Sequence, residues 1–304
     1  MTNFLVSTLI LATPLILAAV GSIYSERSGV INMGLEGLIL VGAFTSYIVT
    51  FYYGSVYLGI LAAIVAGLLM GIVQAYFTVT LRADQVVYGI TTNIFALGLT
   101  STLYRIVFAK QSTVIQVEVL PKLTIPFLSE IPVLGRVVFN HNILVYLALG
   151  MVIVTFIIMF KTKWGLKIRA IGDHPRAADT MGINVFRYRY IGLMLSGIFA
   201  SLGGASLIVG DLGYFVENIS AGRGYVALAA IFFGRFNPTG AFLGALLFGA
   251  ADAFQLRMQA MGFDLPSQLF SMSPYVITLL VLIFLMGPST TPRSYTIPYV
   301  RSGR

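Results

Sequence analysis

The chain has 304 residues, of which 58% are hydrophobic and only 10% charged, and its mean hydropathy is +0.90. Soluble domains carry about 25% charged residues, so this composition excludes an ordinary water-soluble enzyme or binding module. It points to an all-α, polytopic transmembrane helix bundle. The net charge of +8 follows topology rather than a polyanionic ligand, because the basic residues gather in short loops that the positive-inside rule keeps in the cytoplasm. No nucleic-acid partner is expected. The absence of cysteine removes disulfides, thiolate metal sites and thiol catalysis.

Each crossing needs about 20 apolar residues. The first residues, MTNFLVSTLI, lack the positive n-region of a signal peptide, and residues 4–24 read as a retained span with its N-terminus outside. Spans at 29–51, 56–81 and 86–108 follow, with a turn at Arg82, Ala83 and Asp84. Residues 109–141, with Pro121, Pro126 and Pro132, are too polar to span and are expected to form a short folded cap on the outer face. A span at 143–160 then leads into the longest polar interruption, residues 161–189. This loop carries Lys161, Lys163, Lys167, Arg169, Arg176, Arg187 and Arg189 against Asp173 and Asp179. It is cytoplasmic by charge, and it orients every neighbouring span.

The span at 190–209 goes out again, and residues 211–222 lie outside. Residues 225–234 reach only about 15 Å as a helix. The break RFNPTG at 235–240 separates them from an apolar run at 241–256, which suits either a short tilted span or a re-entrant element. Residues 274–287 make the last crossing, and the tail 288–304, with Arg293, Arg301 and Arg304, stays in the cytoplasm. The expectation is one transmembrane domain over residues 1–304, with about nine spans (eight to ten) and broken helices. Its N-terminus lies outside and its C-terminus in the cytoplasm.

Inside the basic loop, Asp173 is placed to cap a helix at 174–181 that takes Pro175 in its first turn and stops at a left-handed Gly182. Two turns fall short of the about 12–15 residues an isolated helix needs in water. Ala177, Ala178 and Met181 share a face on which packing could hold it. Two readings stay open: a docking helix for a cytoplasmic partner, or a capped turn lying against its own protein or the lipid headgroups.

Polar residues within spans mark pathways, pairs or broken backbone. The stretch GVINMGLEG at 29–37 concentrates glycines around Asn32 and Glu36. These two either line a translocation path, or Glu36 is an internal tie that holds a helix break together. Tyr88, Thr91 and Thr92 stand at i, i+3 and i+4 with Asn93 a quarter-turn off. They line a path for a polar solute or make hydrogen bonds between packed helices. Arg105 and Asp252, both toward outer span ends, are expected to form a structural ion pair. The small-residue runs at 201–206 and 240–249 allow close helix packing, and Tyr214, Phe215 and Tyr225 read as interface anchors. No phosphate-binding G-x-x-x-x-G-K-[ST], no H-E-x-x-H and no nucleophile–base constellation occurs. His141 and His174 fall on opposite sides of the membrane. No catalytic residue and no metal site is expected, and any ATPase is another chain.

Three motifs occur in order: SERSGVINMGLEG at 25–37; Arg169-Ala-Ile-Gly172 with Ala177-Ala178 and Gly182-Ile183; and Gly222-Arg-Gly224-Tyr with Ala229 and Gly234-Arg-Phe-Asn-Pro238-Thr-Gly240. Together they resemble the permease subunits of ABC importers for simple sugars, nucleosides and branched-chain amino acids, over nearly the whole chain. The first motif is most similar to the nucleoside and simple-sugar branch, which works with a binding lipoprotein. The resemblance implies a coupling helix at 169–183 seated in a groove of a cytoplasmic ATPase, with Arg169, Gly172, Asp173, Pro175, Ala177, Ala178, Met181 and Gly182 as its residues. It also implies a second related permease subunit, an extracytoplasmic solute-binding lipoprotein and a place in the cell (inner) membrane among lipid. ATP and magnesium would sit on the ATPase, with no cofactor in this chain. Asn32, Glu36, Tyr88, Thr91, Thr92 and Asn93 become path candidates at the interface of the permease pair. Nucleoside import is the expected function, with a simple sugar or a branched-chain amino acid as the alternative solute. Glu36 and Asp252 also admit an ion-coupled secondary carrier.

Overall fold

The computed structural model describes residues 2–108, 115–124, 134–261, 272, 276 and 290–301. It is built almost entirely of helices. In chain order these are α1 (Thr2–Glu26), α2 (Leu35–Tyr53), α3 (Val56–Ala75), α4 (Gln85–Phe108), α5 (Leu134–Val138) and α6 (Ile143–Lys161). Then come α7 (Lys163–Asp173), α8 (Pro175–Thr180), α9 (Val185–Leu207), α10 (Arg223–Phe233) and α11 (Pro238–Ala260). Among the described residues, seven helices are long and apolar enough to cross a membrane: α1, α2, α3, α4, α6, α9 and α11. Helix α3 runs on through a π turn at Tyr76–Thr80, and α9 through another at Ile208–Leu212. Helix α10 has 11 residues, or about 16 Å, and is too short to cross by itself. Apart from residue 276, the crossing expected at 274–287 lies outside the described residues, as do residues 288 and 289 of the tail.

Helix α9 is the axis of the bundle, with α1, α2 and α3 packed around it. Van der Waals contact, not water exclusion, drives helices together in lipid, so small residues are needed where backbones meet. A Cβ at Gly204 would lie 1.9 Å from the Ile39 carbonyl oxygen, and one at Gly249 would lie 2.7 Å from that of Thr8. The run at 201–206 thus meets α2 at Gly204 and α1 at Gly203, and the run at 240–249 meets α10 at Gly244 and α1 at Gly249. Phe215, expected as an interface anchor, is instead fully buried among Phe44, Tyr47 and Tyr104, with ring centroids 5.3–5.8 Å away.

One end of the bundle is closed by residues 115–124 and 134–141. Strand β1 (Leu123–Thr124) pairs antiparallel with β2 (Asn140–His141). Leu120 donates to the Val209 carbonyl at 2.7 Å, which ties this segment to the end of the α9 run. The remainder of the expected cap, 109–114 and 125–133, is outside the described residues. The opposite end carries the basic loop, folded as α7 and α8, separated from the cap by the 19 residues of α6.

Candidate functional site

Between α1 and α2 the chain leaves helical geometry at residues 27–34 and runs through the interior of the bundle. No water is available there, so each exposed backbone N–H must find a partner inside the protein. Side chains supply them. Ile31 N–H donates to Gln85 Oε1 at 2.9 Å, Asn32 N–H to Glu26 Oε1 at 2.9 Å, and Gly37 N–H to Asn93 Oδ1 at 2.8 Å. The polar residues of this region are the substitutes for a missing stretch of helix.

Asn32 is fully buried, and both ends of its amide are hydrogen-bonded. Its Nδ2 donates to Ser196 Oγ at 2.7 Å, and its Oδ1 accepts from Gln74 Nε2 at 2.9 Å and from Gly34 N–H at 3.1 Å. Ser196 in turn shares a 2.6 Å hydrogen bond with Ser22. One amide therefore fastens α1, α3 and α9 to the irregular segment.

Glu36 sits in the first turn of α2 and reaches across to the start of α10. Its Oε1 accepts from Ser220 Oγ at 2.6 Å and Gly222 N–H at 2.7 Å, and its Oε2 from Gly224 N–H at 2.6 Å. All three partners are donors, which is what a carboxylate requires. The charge lies at the N-termini of two helices, where the unpaired N–H groups and the helix dipoles favour an anion. Of the two readings offered by the sequence, the tie is the one the contacts describe.

The α4 stripe divides. Thr91 is exposed and Thr92 buried, each hydroxyl bonded to its own helix four residues back, at Val87 and Tyr88. Tyr88 is half-buried and stacks on Phe77 at 5.4 Å. Asn93 is buried; its Nδ2 donates to the Met33 carbonyl at 2.9 Å and to the Tyr225 hydroxyl at 3.0 Å. Tyr225, in the first turn of α10, remains 46% exposed and so keeps a hydroxyl-bearing ring at the surface beside Asn93. Tyr88, Thr91 and Thr92 keep one side of α4, but its contact with α2 covers Thr92 and leaves Thr91 exposed.

Arg105 corrects another expectation. Its ion-pair partner is Glu217, met by Nε at 2.8 Å and Nη2 at 2.9 Å, rather than Asp252. Glu217 lies in the segment between α9 and α10, which folds over the end of α4. Asp252 is half-buried in α11 and sees the charge of Arg223.

The basic loop folds into two helices rather than one. Asp173 is the last residue of α7, not a cap on α8; the cap position belongs to His174, which makes no side-chain capping bond. Gly182 does stop the turn, at φ +81°. The expected face of Ala177, Ala178 and Met181 is split. Ala178 packs inward against Ile171, Val185 and Tyr299, whereas Ala177 is exposed and Met181 is 82% exposed. Pro175 is half-buried.

The loop lies against its own chain, as one of the two readings of the sequence allows. Gly172 is buried against the Arg27 carbonyl, where a Cβ would come within 2.1 Å. Arg169 and Arg27 both lie over the Phe160 ring, at 5.0 and 5.8 Å, and burial together with the Arg169 charge lowers the pKa of Arg27. The tail 290–301 then crosses beneath. Ser294 N–H donates to the Gly172 carbonyl at 2.9 Å, Thr296 N–H to that of Gly29 at 3.1 Å, and Tyr299 to Asp179 Oδ2 at 3.0 Å. Arg301 joins the same carboxylate oxygen at 3.0 Å. Tyr295 donates to the buried Glu26, and burial, then that carboxylate, raise its phenol pKa so that it remains the donor. Arg189, fully buried, donates to the carbonyls of Ser28 and Ile297, both at 3.2 Å. Tyr295 and Tyr299 lie in no motif, and Glu26 and Arg189 enter the sequence reading only as part of the 25–37 motif and of the basic loop. Their one sequence signal was the incompatibility of a charge such as Glu26 or Arg189 with an apolar boundary.

Residues 4–286 match the family described as the permease component of the branched-chain amino acid transport system. The chain is 41% identical to the guanosine ABC transporter permease protein NupQ of Bacillus subtilis, over 98% of this chain and 96% of the relative. It is 38% identical to the nucleoside ABC transporter permease protein NupC of Lactococcus lactis, over 97% and 95%. The putative glucose ABC transporter permease protein TsgC13 of Haloferax volcanii is 33% identical over 90% and 88%. More distant likeness, at 27% and 25%, extends to NupP and NupB, a second permease from each of the first two organisms. No solved structure matches the chain. A chain matched from residue 4 to residue 286 and so similar to these proteins end to end is a multi-pass protein of the cell membrane and belongs to the permease-component family of ABC transporters.

Proposed function

We propose that this chain is the membrane-spanning subunit of an ATP-driven importer that passes a nucleoside from an extracytoplasmic binding lipoprotein to the cytoplasm. The observation that carries the reading is its 41% and 38% identity, along almost the full length, to permeases named for guanosine and for nucleosides. The pairing of NupQ with NupP and of NupC with NupB supports a second, related permease as its partner. ATP and magnesium belong to a cytoplasmic ATPase, with no cofactor in this chain.

In this reading the basic loop and the tail face the cytoplasm and the N-terminus lies outside. The crossings come to about nine, with α10 as a half-crossing and residues 274–287 as the last. Exposed Ala177, Met181 and Gly182 form the contact with the ATPase, while Arg169, Gly172, Asp173, Pro175 and Ala178 hold that contact in place. Closure of the ATPase on ATP biases the bundle between two packings through α8. A neutral, polar solute suits a path of hydroxyls and amides. Tyr88, Thr91 and Tyr225 are its accessible groups, and Asn32, Glu36, Thr92 and Asn93 form the frame behind them. Three donors already occupy the Glu36 carboxylate, which argues against an ion-coupled carrier.

The test is uptake of labelled guanosine, ribose, glucose and leucine, each measured separately, in cells carrying the whole system. Saturable uptake of guanosine, competed by adenosine and not by the sugars or leucine, supports the reading. The likeness to TsgC13 favours a simple sugar as the second reading, and uptake of glucose or ribose without guanosine would establish it in place of the first.

A further inference from the structure

Helices α6 and α9 both pack on α1 and leave a furrow between them. Met151, Val154, Ile158 and Thr162 form one wall and Leu195 and Phe199 the other, with Tyr24 of α1 at the base. The cavity measures about 550 Å³ and is lined almost wholly by apolar groups. From Met151 to Thr162 is a helical rise of about 16 Å, half the about 30 Å of bilayer hydrocarbon. The furrow is therefore one leaflet deep. It ends on Trp164, whose ring lies between Tyr24 at 5.7 Å and Tyr188 at 6.0 Å.

On the other side of Trp164 is a second cavity of about 340 Å³, lined by Lys167, Asn184, Arg187, Tyr188 and Ile191 among others. Tyr188, Ile191, Leu195 and Phe199 form one stripe of α9, so a single helix face runs through both cavities. Lys167 and Arg187 are exposed, and neither takes part in an ion pair among the described residues. An apolar slot one leaflet long, an aromatic at the interface and two unneutralised cations beyond it match, in that order, an acyl chain, a glycerol backbone and a phosphate.

We infer that the α6–α9 furrow and the Lys167–Arg187 pocket together bind one anionic phospholipid from the leaflet on the side of the 161–189 loop. The acyl chain lies along Met151, Val154 and Leu195, and the phosphate lies between the two cations. This requires only that the chain spans a bilayer and is independent of the solute it carries. A lipid so placed bridges α7 and the start of α9, the two elements that flank α8.

Trp164 is the single tryptophan of the chain, so its fluorescence reports the junction of the two cavities without interference. The experiment reconstitutes the full chain into phosphatidylcholine vesicles doped with phosphatidylglycerol brominated on its acyl chain, or in parallel with brominated phosphatidylcholine. Each basic side chain near the surface is worth about fivefold in anionic-lipid partitioning. Half-quenching is therefore expected at an about 25-fold lower fraction of phosphatidylglycerol than of phosphatidylcholine. The K167Q/R187Q double variant, changed only at exposed positions, should lose that difference. Equal quenching by the two lipids, or a preference retained in the double variant, would overturn the inference. So would shielding of Trp164 from both lipids, the result expected if a second protein chain filled the furrow.

Discussion

The backbone nitrogen of Gly224 lies 2.6 Å from Glu36 Oε2, and a Cβ added at 224 would fall 2.2 Å from the backbone nitrogen of Glu36. The hydrogen bond and the absence of a side chain are one feature. Only glycine lets the first turn of α10 approach α2 closely enough for the carboxylate to reach three donors. Gly224→Ala is expected to push the helices apart and lower the melting temperature of the purified chain. Gly98→Ala is the control, since nothing lies within 4 Å of its added Cβ. There the gain in helix propensity should leave stability unchanged or raise it by up to about 1 kcal/mol. Equal melting temperatures for the two variants would contradict the close approach.

Glu36→Gln keeps the shape of the side chain but turns one acceptor into a donor. One of Ser220, Gly222 or Gly224 then faces a second donor across a buried gap. The expected cost is about 1–3 kcal/mol of stability, read by thermal or denaturant unfolding in detergent. If instead the variant is as stable as the parent and loses only a proton-gradient dependence of uptake, Glu36 is a coupling acid.

The two faces of α8 give opposite outcomes. Met181→Glu changes a side chain that is 82% exposed, and a surface change of this kind moves stability by no more than about 0.5 kcal/mol. Uptake should nevertheless fall by about tenfold or more if the residue is central to a protein contact. Ala178→Glu forces a charge among Ile171, Val185 and Tyr299 and is expected to lower the melting temperature as well. Co-purification with the ATPase separates the cases: Met181→Glu loses the ATPase from a folded permease.

The tail holds α8 through one carboxylate. Asp179→Ala removes the acceptor of both Tyr299 and Arg301. Hydrogen bonds to a charged group contribute about 1.5–3 kcal/mol each, though the Arg301 pair is largely exposed and adds little. Amide exchange at residues 176–180 should accelerate by about tenfold or more, with the exchange of α1 and α9 unchanged. Unaltered exchange would mean that the hydrophobic contact of Ala178 suffices by itself.

Arg105 and Glu217 form a bidentate pair whose side chains are 73% and 38% exposed. A double-mutant cycle to alanine should return a small favourable coupling that disappears at high salt. The same cycle between Arg105 and Asp252 should return zero.

What the residues of this chain determined by themselves were the properties that depend on composition and local order. The hydropathy placed it in a membrane, and the run lengths delimited α6 and, with its π turn, α3, whereas α2 begins at Leu35 and not at 29. The Pro175 and Gly182 pair marked where a short helix begins and stops. The motifs at 25–37, 169–183 and 222–240 pointed to the family. Which polar groups meet was decided only in three dimensions. Asn32 joins Ser196 and Gln74, and Glu36 joins Gly224, across separations in sequence of 42 to 188 residues. Arg105 had two acidic residues near its level, and only the fold of the segment before α10 selected Glu217. The physical reason is that, in an interior without water, a polar side chain is placed by whichever unpaired backbone group comes within reach. That depends on how helices pack, and no pattern along the chain records it.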